Sequence, residues 1–160
     1  MAINTQELER FFLRSAAKTY ASGTRAFLSP PLPGARMFVE IDGADERLLY
    51  RDIYRPNGEF STGWTTIEID GAVVWSMSYH GWCKGDDPEV LRFLKSCLSA
   101  AYRSSEFHGG RGLPHVTDEA RGLAYRNRPL QRGFETFSGR EAIYRPDSPH
   151  PGEPVFWHDY

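Results

Sequence analysis

The sequence predicts an α+β domain in which two three-stranded antiparallel β units, related by internal duplication, pack against an N-terminal helix and a central helix. The first observation is a strand at residues 71–79 that is repeated 81 residues later, at 152–160. Both copies open on Gly and carry Val at the fourth place, an aromatic residue at the fifth and Tyr at the ninth. Alternation of inward and outward side chains makes this pattern typical of a strand with one buried face.

Two further alignments support the duplication. Residues 63–67 align with 139–143 at an offset of 76, and residues 48–52 align with 123–127 at an offset of 75. The offsets grow in chain order, and the largest increase falls within residues 145–151, which indicates a loop insertion. We therefore predict repeat one at about 35–81 and repeat two at about 122–160, within a single domain spanning 1–160.

Each predicted helix has a recognisable start. Asn4 and Glu7 form a capping-box pattern before an apolar periodicity, which predicts a helix at about 5–20. Pro88 follows an Asp, and Pro is typical of the first position of a helix. Apolar residues then recur at helical spacing. The second helix is therefore expected at about 88–103, between the two repeats.

Composition narrows the classes of function. The chain has 160 residues and 14% aromatic content, which suits one β-rich domain. A net charge of −2 argues against a general binder of the nucleic-acid backbone. No apolar run is long enough for a membrane span, and the first residues lack a secretory pattern. We expect a soluble cytoplasmic protein with no cofactor, no membrane association and no direct nucleic-acid binding.

The chain also resembles a known family. The motifs that carry the resemblance are Phe12-x-x-x-Ala16-x-x-Thr19-Tyr20-Ala21, Tyr50-Arg51-Asp52-x-Tyr54, Trp75-x-Met77-x-Tyr79-x-Gly81, Arg111-Gly112 and Phe137-x-Gly139-x-Glu141-x-Ile143. They are similar to a bacterial domain of unknown function that occurs alone or behind an XRE-type helix-turn-helix in transcriptional regulators. The first repeat departs from the family pattern, with Thr65 in place of Glu and one extra residue before Gly63. The resemblance implies a fold and no catalytic residues, and we expect the helix-turn-helix itself to be missing here.

The candidate site is a polar and aromatic set on neighbouring predicted strands. A carboxylate beside ring hydroxyls and an indole could orient a small ligand, although a satisfied aromatic core is the alternative interpretation. If the two repeats face each other, the cleft between them receives residues from both. The predicted ligand-binding residues are Tyr50, Asp52, Trp64, Trp75, Tyr79, Tyr125 and Arg126.

Three functions stay open from the sequence. The first is a small-molecule-binding or sensor domain. The second is an enzyme that uses Asp52 or Glu141 as an acid/base, or a Cys83 nucleophile with His80. The third is an interaction module or homodimer formed through strand edges, since Tyr160 falls inside a predicted strand that could lack a partner.

The histidines and cysteines show no metal-ligand spacing. No His-x-His or Cys-x-x-Cys pattern occurs among His80, His108, His115, His150, His158, Cys83 and Cys97. We therefore predict no metal site and no disulfide.

Overall fold

The computed structural model describes residues 4–28, 32–147, 149–150 and 152–160. In this part of the chain, two α-helices and two 3₁₀ turns accompany nine strands of one antiparallel sheet. The elements in chain order are α1 Thr5–Lys18, a 3₁₀ turn Tyr20–Ser22, β1 Phe27–Leu28, β2 Arg36–Ile41, β3 Leu48–Asn57, β4 Phe60–Ile69, β5 Ala72–Cys83, a 3₁₀ turn Lys84–Asp86, α2 Pro88–Arg103, β6 His115–Asp118, β7 Leu123–Gln131, β8 Ser138–Tyr144 and β9 Pro154–Asp159. The predicted loop insertion at 145–151 lies partly outside the described residues.

Local sequence signals account for the starts of both helices. The Asn4 side chain accepts from the Glu7 amide while the Glu7 carboxylate accepts from the Asn4 amide, which satisfies two free N–H groups of α1. The Asp87 side chain caps α2 by accepting from the Glu89 amide, and Pro88 occupies the first helical position.

The strands run in the order β1-β2-β3-β4-β5-β9-β8-β7-β6. The prediction of two three-stranded units is not confirmed, because β5 pairs with β9 and all nine described strands form one larger sheet. This pairing satisfies backbone groups that separate units would leave exposed along their edges. The short strands β1 and β6, which were not predicted, extend the sheet at its two ends. Tyr160 follows a strand in the middle of the sheet, so the predicted free edge at this position was also wrong.

The pairing register on the two sides of the β5–β9 junction follows the sequence alignment. Tyr50 lies opposite Ile67 and Asp52 opposite Thr65 across β3 and β4. Their aligned counterparts pair in the same way across β7 and β8: Tyr125 with Ile143, and Asn127 with Glu141. Hydrogen bonds follow the same pattern, since the Tyr79 hydroxyl donates to Asp52 Oδ1 and the Tyr160 hydroxyl donates to Asn127 Oδ1.

Both helices cover the same face of the sheet. The apolar face of α1 packs mainly on β3, β4 and β5 through Phe12 and its neighbours. The apolar face of α2 packs mainly on β7, β8 and β9, where Tyr125, Ile143 and Phe156 are almost fully buried. Tyr102 of α2 contacts both groups, with its ring edge-on to Phe12. The helices thus meet above the junction of the two halves.

Glycines on β4 and β8 make room for the two tyrosine rings. A Cβ on Gly63 would lie 2.5 Å from the ring of Tyr79 and 2.6 Å from the carbonyl oxygen of Ile53. A Cβ on Gly139 would lie 2.4 Å from the hydroxyl of Tyr160. Each ring therefore lies across a strand at a point where any larger residue would displace it.

Replacing Gly63 with Ala should accordingly lower the free energy of unfolding by about 1–3 kcal/mol, the usual cost of overpacking a well-filled interior. Urea-induced unfolding measures the effect, and Ser78→Ala, on the exposed side of β5, serves as the control with little change. A Gly63→Ala variant as stable as the wild type would contradict the close approach of the Tyr79 ring.

Candidate functional site

A cavity of about 230 Å³ lies between the two helices and the centre of the sheet. Its inner walls come from both halves and include Phe12, Asp52, Tyr79, Tyr102, Arg111 and His158. Its outer part is bordered by the β3–β4 hairpin, the second 3₁₀ turn and the first half of α2. The volume is somewhat below the roughly 300–1,000 Å³ of typical ligand pockets, so the cavity suits a small compound.

Asp52 is the charged group on the β3 side of this cavity. Its side chain is buried, and Oδ1 accepts hydrogen bonds from Thr65 Oγ1 and from the Tyr79 hydroxyl, each at 3.0 Å. Among the described residues, no donor contacts Oδ2. Burial raises the pKa of Asp52 to about 6, against the lowering effects of those two hydrogen bonds and of the Arg111 charge.

Oδ2 of Asp52 is nevertheless open to accessible space. Among the described residues, His108 Nε2 is the one fully enclosed side-chain nitrogen or oxygen without a hydrogen-bond partner. Asp52 Oδ2 also lacks a partner, so it is not fully enclosed, and Asp52 lines the cavity. The unbonded carboxylate oxygen is therefore available to something that enters there.

A second polar cluster lies on the β8–β9 side. Arg111 Nε donates to Glu141 Oε1 at 2.7 Å, and Arg111 Nη2 also contacts this oxygen closely. The Tyr125 hydroxyl donates to Glu141 Oε2 at 2.6 Å. Burial opposes ionisation of Glu141, but the Arg111 charge and the contacts with His158 outweigh it and lower the pKa to about 2. Arg111 and Glu141 thus form a buried ion pair in which each charge neutralises the other.

His158 links this ion pair to the cavity. Its Nε2 lies 2.9 Å from Ser61 Oγ, while its Nδ1 lies 3.2 Å from Arg111 Nη2 and 3.3 Å from Glu141 Oε1. Burial lowers the pKa of His158, with Glu141 acting in the opposite direction and Arg111 in the same one. The imidazole is therefore neutral at neutral pH.

The contacts Ser61–His158–Glu141 follow the order of a nucleophile, a base and an orienting acid. Arg111 weakens this arrangement as a catalytic relay. Its guanidinium already neutralises Glu141 and stands beside Nδ1, where it disfavours the imidazolium that a general base must form.

The structure brings together three of the seven predicted site residues. Tyr50, Asp52 and Tyr79 line the cavity from β3 and β5. Their side chains share the helix-covered face of the sheet, as period-two alternation requires.

The other four predicted residues lie elsewhere. Trp64 is on the opposite face of the sheet with 38% of its surface exposed, and Arg126 is exposed above the ring of Tyr144. Trp75 is in the core, where its indole N–H donates to the Phe134 carbonyl oxygen. Tyr125 is fully buried and donates to Glu141 without lining the cavity. Trp64 was mispredicted because its strand neighbours Gly63 and Thr65 are the inward residues.

The proposed Cys83–His80 pair is wrong. The two residues are three positions apart on β5, so alternation places them on opposite faces: Cys83 is buried and His80 is exposed. Burial raises the pKa of Cys83 to about 11, which leaves the thiol protonated at neutral pH. Cys97 is likewise a free, buried thiol.

Three important residues were missed by the sequence analysis: Ser61, Arg111 and His158. Arg111 stood in a motif that carries the family resemblance, which was a usable signal. In the structure Arg111 is 5% exposed, and Gly112 donates its amide to the Tyr125 hydroxyl at 2.8 Å. The sequence analysis considered His158 only as a possible metal ligand, and the pairing of β5 with β9 is what brings it close to Ser61.

Neither a metal site nor a membrane-spanning helix is present in the described residues. No group of three or more His, Cys, Asp or Glu side chains is arranged to hold a metal ion there. In the same ranges, no helix is both long and apolar enough to cross a membrane.

Fold and cavity together define an α+β domain with one large antiparallel sheet, two helices on a single face and a polar-aromatic cavity beneath them. The sequence profile of DUF5680, a domain of unknown function, matches residues 52–150, and the chain belongs to this family. No curated protein and no solved structure shows significant similarity to the chain.

Proposed function

We propose that this chain is a small-molecule-binding domain whose ligand occupies the cavity between the helices and the sheet. The observation that carries the proposal is Asp52. An ionised carboxylate in an apolar interior costs several kcal/mol unless donors satisfy it. Among the described residues, Asp52 has donors on one oxygen only, and its side chain lines the cavity. A ligand that supplies the missing donor would account for a buried carboxylate at this position.

The internal duplication, which we also propose, supports this interpretation. By the aligned register, Asn127 is the counterpart of Asp52. Asn127 is fully provided with partners, because Nδ2 donates to the carbonyl oxygens of His108 and Gly112, each at 2.9 Å, and Oδ1 accepts from Tyr160. In the second half, the protein's own loop thus occupies the space beside Asn127. In the first half, the space beside Asp52 is part of the cavity.

A sensor role fits the same geometry. The cavity is walled by α1 and α2 as well as by the sheet, so a bound compound would contact both helices at once. A ligand that contacts two helices shifts the equilibrium between two helix arrangements by as much as its affinities for those arrangements differ. The resemblance to a bacterial domain found behind helix-turn-helix segments suggests that this shift could be passed to a DNA-binding unit.

A ligand screen on a cavity-filled variant tests the proposal. Ala16 lines the cavity from α1, and Phe at this position should fill part of it. We expect several compounds of a fragment library to perturb NMR signals of Asp52 and Arg111 neighbours in the wild type and to lose this effect in Ala16→Phe.

Ser78→Phe, on the exposed side of the sheet, is the matched control and should retain the hits. A library that gives no wild-type hits, or hits that persist in Ala16→Phe, would count against a ligand in the cavity.

An enzyme remains the second candidate, favoured by the contact between Ser61 and His158. Asp52 and Glu141 are less suitable as an acid/base pair, since Glu141 is held ionised by Arg111 and Tyr125. Turnover of any compound found in the screen, lost in Ser61→Ala, would favour this candidate over a pure sensor.

A further inference from the structure

The chemical class of the ligand follows from the charges around the cavity, if the proposed function holds. Arg111 and Glu141 compensate each other through two hydrogen bonds, and His158 is neutral. The outer part of the cavity has two exposed or half-buried groups of each sign: Arg36, Lys95, Glu59 and Asp86. The carboxylate of Asp52 is therefore the one buried charge on the cavity wall without a hydrogen-bonded counter-ion among the described residues.

The counterpart position shows what an occupant must offer. The Asn127 amide donates N–H groups, and carbonyl oxygens of the loop at 108–112 accept them. Asp52 presents carboxylate oxygens, which only accept, so the complementary group must donate. A carboxylate or phosphate ligand would instead bring like charge against Asp52, which is unfavourable at short range in a buried site.

The walls suit the body of such a ligand. Five tyrosines contribute to the cavity lining: Tyr20, Tyr50, Tyr54, Tyr79 and Tyr102. Aromatic ring faces attract cations, and this attraction increases when water is excluded. The fold already uses the interaction at this site, with the Lys95 ammonium 4.8 Å from the Tyr20 ring centroid and the Arg111 guanidinium carbon 5.0 Å from that of Tyr79.

We propose that the cavity binds a small organic cation with N–H donors, an amine, amidine or guanidine on a compact apolar body, through a charge-assisted hydrogen bond to Asp52 Oδ2. Such a compound satisfies the open oxygen, compensates the buried charge and places its apolar part among the tyrosine rings. Arg111 Nη1, which has no hydrogen-bond partner among the described residues, remains free for an acceptor elsewhere on the ligand or for water.

Three probes of nearly identical shape separate the alternatives: benzamidine, benzamide and benzoate. Titration by NMR at pH 7.5 should rank benzamidine above benzamide, with benzoate weakest. Asp52→Asn should weaken benzamidine binding by roughly 10- to 100-fold, the usual range for loss of a charge-assisted hydrogen bond, and leave benzamide little changed. Glu68→Gln, which removes the same charge from a strand position outside the cavity lining, should change neither.

Benzoate binding most tightly, or an unchanged benzamidine affinity in Asp52→Asn, would overturn the cationic class. The wild-type ranking decides the matter alone if Asp52→Asn does not fold. Every hit of the fragment screen is titrated in the same way, so neutral or anionic hits that depend on the open cavity would refute this inference and leave the proposed function standing. A cavity that binds neither probes nor fragments would refute both.

Discussion

Replacing Arg111 with Met should lower the free energy of unfolding by about 3–5 kcal/mol, the range found when one partner of a buried ion pair is removed. Glu141 has no exposed surface, so the variant leaves an ionised carboxylate in the interior, with Tyr125 and His158 as its remaining partners among the described residues. Urea-induced unfolding followed by tryptophan fluorescence measures the loss. Because Arg111 also holds the loop that closes Asn127, the effect should extend to amide exchange at 108–112.

Arg140→Met is the matched control. Arg140 makes two similar hydrogen bonds to Asp159, at 2.6 and 2.7 Å, but its side chain is 58% exposed. Exposed pairs contribute about 0–1 kcal/mol, so the control should cost little. The double variant Arg111→Met/Glu141→Gln should regain most of the stability, since it removes the uncompensated charge. Equal losses for Arg111→Met and Arg140→Met would contradict a buried, energetically coupled pair.

The sequence predicted those features of the fold that depend on local and periodic signals. Asn4, Glu7 and Pro88 mark helix starts because capping acts over one turn of the chain. The inward faces of Tyr50 and Trp75 follow from alternation along single strands. The pairing of β5 with β9 could not be predicted in this way, because an edge-to-edge contact between distant strands leaves no local pattern.

The candidate site shows the same division. Asp52 and Tyr79 were found because both stand on strands with strong alternation. Arg111 is on a glycine-containing connection, and its partner Glu141 is 30 residues away. A buried arginine in a loop is recognisable only once its carboxylate partner is placed in space, since arginine is rarely buried without one. The contact between Ser61 and His158 was not predictable for the same reason, because it joins strands from different halves of the sheet.

The second large effect concerns the pH dependence of stability. The pKa of Asp52 rises from 3.8 to about 6 on folding, so the folded chain binds a proton more tightly than the unfolded chain does. Stability associated with the protonated carboxyl is fully present below pH 3.8 and is lost as the pH rises through about 6. By linkage, ionised Asp52 therefore costs about 2–3 kcal/mol above pH 7.

Asp52→Asn should remove this dependence. Asn keeps an oxygen for Thr65 and Tyr79 and never ionises, so the variant should approach the wild type near pH 4 and exceed it in stability by about 2–3 kcal/mol at pH 8. Glu141 and His158 have the opposite effect, because the pKa of each is lowered on folding and its contribution to stability is lost as the pH falls. For Glu141 this loss occurs between pH 4.5 and about 2, and for His158 it begins below pH 6.5.

The difference between variant and wild type, measured by urea unfolding at pH 4, 5, 6, 7 and 8, cancels these common contributions. A flat difference across this range would mean that Asp52 is solvated in the folded protein. In that case its open oxygen would need no ligand donor. A cation bound to Oδ2 stabilises the ionised form of Asp52. We therefore expect the difference in free energy of unfolding to rise with pH and to become smaller when an amidine is bound, which would show that the cavity's occupant offsets the cost of the buried carboxylate.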